Sequence, residues 1–177
     1  MRRLASFALT VGLCTIVLSS CAPKPPPRRP APRPPEVVRG IPLPAPAYLA
    51  TAASIDLFAI KSSQLALTRA RDARLRDFAR TEIGAHEGLG SQLSFAGRRL
   101  NLLPSAELQP EHKRMLDMLQ STGDFDATYR SQQIRVHDAA LKLHSDFAAG
   151  GQSPTLRRVA ANAVPIIRAH LQRLRAM

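Results

Sequence analysis

This sequence predicts an all-α fold: one up-down four-helix bundle with an extra short helix, behind a disordered proline-rich linker. Three observations carry that expectation. From Ala47 onward alanine, leucine, arginine and glutamine dominate and β-branched runs are absent, a composition of strong helix formers. Apolar residues there recur at alternating spacings of three and four, the period of one helix face. The breaks between periodic segments are short and hold helix-stop and helix-start residues. Four long amphipathic segments within residues 47–177 make a single bundle domain.

The chain before Ala47 reads differently. Met1-Arg2-Arg3 is a short basic start, and Leu4 to Leu18 is apolar and uncharged, the pattern of a secretory signal. That run is shorter than the ~20 residues a membrane span needs. It ends in Leu18-Ser19-Ser20-Cys21, which reads as a bacterial lipobox: a branched apolar residue, two small residues, then the cysteine that takes the lipid. Residues 1–20 are therefore expected to be a lipoprotein signal peptide and Cys21 the lipidation site. A plain secretory signal with a chance cysteine, or an uncleaved anchor, is the competing reading. The other cysteine, Cys14, leaves with the signal, so the mature domain has no thiol for a disulfide or a cysteine metal site and must rely on its core.

Residues 21–46 form the linker. Positions 22 to 46 hold eleven of the fifteen prolines and five basic residues, Lys24, Arg28, Arg29, Arg33 and Arg39, against the single acid Glu36. Proline fixes φ and donates no amide hydrogen, which excludes helix and sheet. Extended polyproline II at about 3.1 Å per residue gives a reach on the order of 75 Å. Such a segment is a stiff spacer between a bilayer and a domain. Its arginines are either solvated or in contact with anionic lipid and envelope polymer.

The elements of the domain follow in order. A first helix is expected over about Ala47 to Ala70, with the stripe Ala50, Ala53, Leu57, Ile60, Gln64, Leu67. A second runs from about Asp72 to Asn101, with the stripe Leu75, Ala79, Glu82, His86, Leu89, Leu93, Ala96, Leu100. Leu102-Leu103-Pro104-Ser105 breaks the chain, and a short helix follows Pro110 through Leu119. Asp124 caps a helix reaching about Ala149, with the stripe Phe125, Tyr129, Val136, Ala140, Leu143, Phe147. Gly150-Gly151-Gln152 turns the chain, and Ser153-Pro154 is an N-cap followed by proline at the first helical position. The last helix runs to about Ala176 with the stripe Leu156, Ala160, Ala163, Ile167, His170, Leu174, and Pro165 inside it should bend it. Gly84, Gly88, Gly90 and Gly97 on the second helix each cost about 1 kcal/mol against alanine; close approach to a neighbour or a loose segment would account for them.

Polar residues stand where leucine is expected. Glu82 and His86 lie mid-stripe on the second helix, His170 mid-stripe on the last, and His137 one step off the stripe of the fourth. Buried polar groups need partners, and such positions are where bundles build metal sites. Imidazole and carboxylate suit a divalent transition metal, and Asp56, counted back from the first turn, falls near the height of His86 as a further ligand or an acceptor behind it. A hydrogen-bonded network of core histidines is the alternative. Two features favour it. The Glu-x-x-His pattern of carboxylate-bridged di-iron bundles is absent, and His137 and His170 count out about five residues apart in height, roughly 7.5 Å. His112 and His144 read as exposed or edge residues, and the helix-face arginines as solvated, with an anion-binding surface the alternative.

The full chain carries a charge of +12, but residues 47–177 keep only +6, with 18 basic and 12 acidic residues. With no tryptophan and few aromatics for base stacking, a nucleic-acid partner is not expected. No nucleophile elbow, phosphate loop, His-Glu-x-x-His or nucleotide fingerprint occurs, so no motif argues for an enzyme.

Three stretches, "SSQLALTRARDARLRDFARTEIGAHEGL", "GDFDATYRSQQIRVHDAALKLHSDFAAGG" and "LRRVAANAVPIIRAHLQRL", resemble the bacterial envelope family known as DUF4142. The carrying motifs are Phe-Asp-x-x-Tyr, Val-His-x-x-Ala and Pro-x-x-x-x-His-Leu, and the resemblance covers about residues 47 to 175. It implies a ferritin-like four-helix bundle, exported and often lipid-anchored, with no established activity. His86, His137 and His170 match the family's recurring histidines. Ala59 stands where members often carry Glu and Ala85 where an Asp commonly precedes the histidine, so two carboxylates are missing.

The expectation is a non-enzymatic lipoprotein of the bacterial cell envelope. The residue after the cysteine, Ala22, favours the outer membrane facing the periplasm. Its partners would be the lipid bilayer and an anionic envelope polymer or an envelope protein. The alternative is a metal-binding or redox protein using His86, His137 and His170 with Glu82 or Asp56.

Overall fold

The structure, a computed structural model, describes residues 43–177. The signal peptide, Cys21 and the linker before residue 43 lie outside the described residues. Five helices follow one another: α1 (Ala45–Arg69), α2 (Ala73–Arg98), α3 (Pro110–Ser121), α4 (Phe125–Gly150) and α5 (Pro154–Arg175). Among the described residues there is no strand, and no helix is long and apolar enough to cross a membrane.

The capping chemistry is local: the caps expected at Asp124 and Ser153 form, and Asp72, expected as the first helical residue, is a third. Asp72, Asp124 and Ser153 each accept a backbone N–H of their own helix, from Arg74, Ala127 and Leu156. α1 begins two residues earlier than Ala47 and takes Pro46 into its first turn. Proline is tolerated there because the first-turn N–H has no intrahelical partner to lose. α2 ends earlier than Asn101: the Leu102 N–H reaches back to the Gly97 carbonyl and the Asn101 N–H to that of Arg98, with Asn101 at φ 55°. This is a left-handed C-terminal cap with asparagine in place of glycine.

The three parts of the core give the topology. One end of the bundle joins Tyr48, Leu49 and Ala52 of α1 to Leu93 and Ala96 of α2, Phe147 of α4, and Leu156 and Ala160 of α5. This is the proximal end, where α1 starts. The distal end joins Ala66, Leu75, Phe78, Leu119, Phe125, Tyr129 and Leu174, and Ile55, Phe58, Leu89, Met115, Val136, Ala163 and Ile167 fill the middle. Both hairpins are antiparallel, as expected, but α2 ends proximally while α4 starts distally. The order is therefore up, down, down, up, and not a simple alternation. The connection between the hairpins climbs the bundle, and α3 lies along it against α1 and α4. One long crossover is the ferritin-like way of joining two hairpins.

The stripes of α2 and α5 are buried as expected, Leu100 excepted. The stripe of α1 is not. Its buried side is Tyr48, Leu49, Ala52, Ile55, Asp56, Phe58, Ala59, Ser62, Ser63 and Ala66, while Leu57, Ile60 and Leu67 are half-exposed and Gln64 is exposed. α1 is flanked by α2, α4 and α3, so a wide arc is covered, and its serines and aspartate turn inward because they have partners there. Of the α2 glycines only Gly97 needs close approach: a Cβ there would lie 2.4 Å from the Leu102 carbonyl oxygen. Gly84 and Gly88 would meet nothing within 4 Å.

Candidate metal centre

Glu82 is fully buried and lies at the convergence of three imidazoles. Its Oε1 is 3.0 Å from Nε2 of His86, one turn on along α2, and 2.9 Å from Nε2 of His137 on α4. Its Oε2 is 2.8 Å from Nδ1 of His170 on α5. One ligand atom from each of the four residues lies within 4.8 Å of all the others. His86 and His137 are completely shielded from solvent, and His170, at 7%, is the member nearest the surface.

The five-residue offset counted for His137 and His170 does not separate them; their ring centroids are 5.5 Å apart. The reason is the lean of side chains toward their helix N-terminus. His137 lies closer to the proximal end and leans distally, and His170 lies further along and leans proximally. On antiparallel helices the two leans close the gap.

Each of two imidazoles is held from behind. His86 Nδ1 donates to Asp56 Oδ1 at 2.7 Å, which makes Asp56 the acceptor behind a ring and not a member of the inner set. His137 Nδ1 donates to the Gln133 carbonyl at 2.9 Å, since a carbonyl can only accept. With Nδ1 carrying the proton, a neutral ring turns its Nε2 lone pair inward, toward the carboxylate of Glu82. The inward contacts have hydrogen-bond lengths, yet Glu82 Oε1 and Oε2, His86 Nε2, His137 Nε2 and His170 Nδ1 all lack a hydrogen-bond partner of acceptable alignment. Ion-pair distance and hydrogen-bond geometry thus disagree, and the geometry decides what the contacts are: electron-rich atoms gathered around a common region. Such a set requires a cation among them, a proton or a metal.

With protons in that role the electrostatics are strongly coupled. Burial pulls His86 down, but the Glu82 and Asp56 carboxylates outweigh it and push the ring up to about 10. Burial pushes the Glu82 carboxyl up, and the facing imidazoles of His137 and His86 overcome that and hold it well below the usual carboxylate range. Asp56 is raised by its burial, with the His86 contact opposing.

The same four residues could hold a metal ion after the side chains adjust. Around an ion with ~2.1 Å bonds, tetrahedral ligand atoms sit about 3.4 Å apart; here they lie within 4.8 Å of one another, so the carboxylate would retreat by roughly half an ångström and the more widely spaced imidazoles would close in by about one. The apolar wall is Phe78, whose ring lies edge-on to His137 and His170 at 6.3 and 5.7 Å. On the α1–α2 side, Asp56 and His86 border a cleft of about 690 Å³ with Gly90, Glu87 and Ser91 on its walls.

Other polar residues of the core are not in the cluster. His112 and His144 are buried, at 8% and 3% exposure, not exposed or at an edge. Their partners sit on α1: Ser54 Oγ at 2.7 Å from His112 Nδ1 and Tyr48 Oη at 3.0 Å from His144 Nδ1. Below the cluster, Gln133 donates to Ser62 and Ser63 pairs with Tyr129. These belts were missed in the sequence because serine on α1 carried no periodic signal. Several arginines are also more than solvated: Arg69 donates to the carbonyls of Leu119, Gln120 and Thr122, where α3 ends.

The model of the family described as Domain of unknown function (DUF4142) matches residues 39–177. Among solved structures, CopM in its Cu(II)-bound form is 18% identical with a TM-score of 0.66, covering 76% of this chain and 95% of that one. CopM in its Cu(I)-bound form is 16% identical at 0.64, over 76% of this chain and 94% of the other. A DUF305 fragment from Deinococcus radiodurans is 16% identical at 0.64, over 75% and 93%. At these identities the likeness is one of fold. No curated protein matches.

Proposed function

The chain belongs to the DUF4142 family, and we propose that it binds one divalent transition-metal ion between Glu82, His86, His137 and His170. The observation that carries this reading is the orientation of the rings. Asp56 and the Gln133 carbonyl occupy the outer nitrogens, and the inner ones meet a buried carboxylate without hydrogen-bond alignment. Outer acceptors of this kind fix the tautomer and raise ligand basicity in metal sites. Similarly folded CopM chains hold Cu(II), Cu(I) and silver, which supports metal handling on this fold. The donors here are nitrogen and oxygen only, a set that suits Cu(II) or Zn(II) better than soft monovalent ions. No step of chemistry is needed beyond binding and holding the ion.

The test uses residues 39–177, whose helices close their own core. The protein is stripped with a chelator and titrated with Zn²⁺, Cu²⁺ and Ag⁺, with elemental analysis of what remains after desalting. One divalent ion per chain, lost in His86→Ala and His170→Ala variants that keep their helical circular dichroism, is expected. A stripped protein that retains no divalent ion sinks the reading.

The address of the protein is a proposal from the sequence: lipidation at Cys21, tethering in the bacterial envelope by the proline-rich linker, and an outer-membrane position facing the periplasm. There the ion would be held close to a membrane and to anionic polymers or an envelope protein. Mass spectrometry of the mature N-terminus checks it; an unacylated Cys21 removes the tether.

A further inference from the structure

The proximal end of the bundle carries basic and apolar groups together. Arg98 and Arg99 close α2, and Arg157 and Arg158 open α5. Among the described residues none of the four pairs with a carboxylate, although Arg157 donates to the Gly151 carbonyl; elsewhere Arg74, Arg80, Arg135 and Arg175 are held by Asp72, Asp77, Glu111 and Asp138. Phe95 is 58% exposed, and Leu103, in the loop after α2, is 78% exposed. Phe95, Arg99 and Arg158 line one groove between α2 and α5 with Val159, and the Arg99 guanidinium lies over the Phe95 ring at 5.9 Å. Of the acids near this end, Asp146 is held by Lys142, and Glu107 lies in the loop after α2.

From this juxtaposition we propose that the proximal end is a docking face for an anionic lipid bilayer. Arginines without a carboxylate partner are drawn to a negative headgroup layer, and Phe95, beside Arg99, suits the boundary between headgroups and acyl chains. A polyanion in solution would use the arginines and leave Phe95 and Leu103 without a role. α1 also starts at this end. The proposal stands independently of the metal reading and of Cys21, because it concerns residues of α2, α5 and their loops alone.

Residues 39–177, which lack the lipid site and most of the basic linker, are sedimented with vesicles of phosphatidylcholine alone or mixed with an equal part of phosphatidylglycerol. Binding only to the anionic vesicles, weakened by salt, is expected. Arg98→Glu/Arg99→Glu/Arg158→Glu should lower the partition coefficient by about a hundredfold and Phe95→Ser by about tenfold. Lys61→Glu/Arg114→Glu/Arg168→Glu changes the charge equally at exposed positions elsewhere and should cost less than about threefold. Equal losses in the two triple variants would mean diffuse charge attraction and overturn the proposal. So would wild-type protein that ignores phosphatidylglycerol, or that binds polyphosphate and not vesicles. Circular dichroism of each variant confirms that the fold is kept.

Discussion

At the scale of single residues, Asp56 and His144 make separable claims. Asp56 sits behind His86 and holds its Nδ1–H. Replacement by asparagine keeps a hydrogen-bond acceptor but removes the charge, so the ring becomes a weaker ligand. Asp56→Asn should weaken metal affinity about ten- to a hundredfold without changing stoichiometry; competition with a chromogenic chelator measures it. His144 is a different case, since nothing acidic faces it. Burial, with the nearby His86 charge, pulls its pKa down to about 4, and Tyr48 holds it neutral. The unfolded ring binds a proton below about 6.5 while the folded one does not until about 4. Stability from this group is therefore complete above the unfolded value and is lost as pH falls through that window, on the order of 3 kcal/mol in all. The melting temperature of the wild type should fall more steeply between these two pH values than that of His144→Phe, and parallel slopes would refute the assignment.

At the scale of the element, the glycines of α2 divide by environment. Gly88 is exposed and helical, and an added Cβ there meets nothing. Gly88→Ala should stabilise by about 0.5–1 kcal/mol through helix propensity alone. Gly97 closes the last turn of α2 under the Leu102 carbonyl, with Leu49 at 3.3 Å as well. Gly97→Ala must push the cap open and should cost about 1–3 kcal/mol. Urea denaturation of the two variants should give midpoint shifts of opposite sign. The turn at Asn101 is the same lesson from the other side: the asparagine takes a positive φ that few other residues accept so readily.

At the scale of the whole molecule, the site joins three helices of both hairpins, with Asp56 of α1 behind it. An ion bound there crosslinks α2, α4 and α5, elements far apart in sequence, and stabilises only the folded chain. At about a hundredfold excess over the dissociation constant, this linkage is worth about 2.7 kcal/mol, which shifts the melting temperature by roughly 10 °C for a domain of this size. Differential scanning calorimetry with and without Zn²⁺ or Cu²⁺ reads it directly, and chelator should reverse it.

Local signals in the chain settled much of this. Helix periods, the caps at Asp124 and Ser153, and glycine and proline breaks act within a few residues, so five helices could be read without knowing their partners. The breaks in the stripes at Glu82, His86 and His170 likewise announced buried polar groups, because polarity at an apolar position is itself local. Only tertiary packing decided the rest. Which arc of α1 is buried, the inward turn of Ser54, Ser62 and Ser63, the burial of His112 and His144, and the direction of the second hairpin depend on partners tens of residues away. The meeting of His137 with His170 depends on side-chain lean across antiparallel helices, a displacement of several ångströms that counting along a chain does not register.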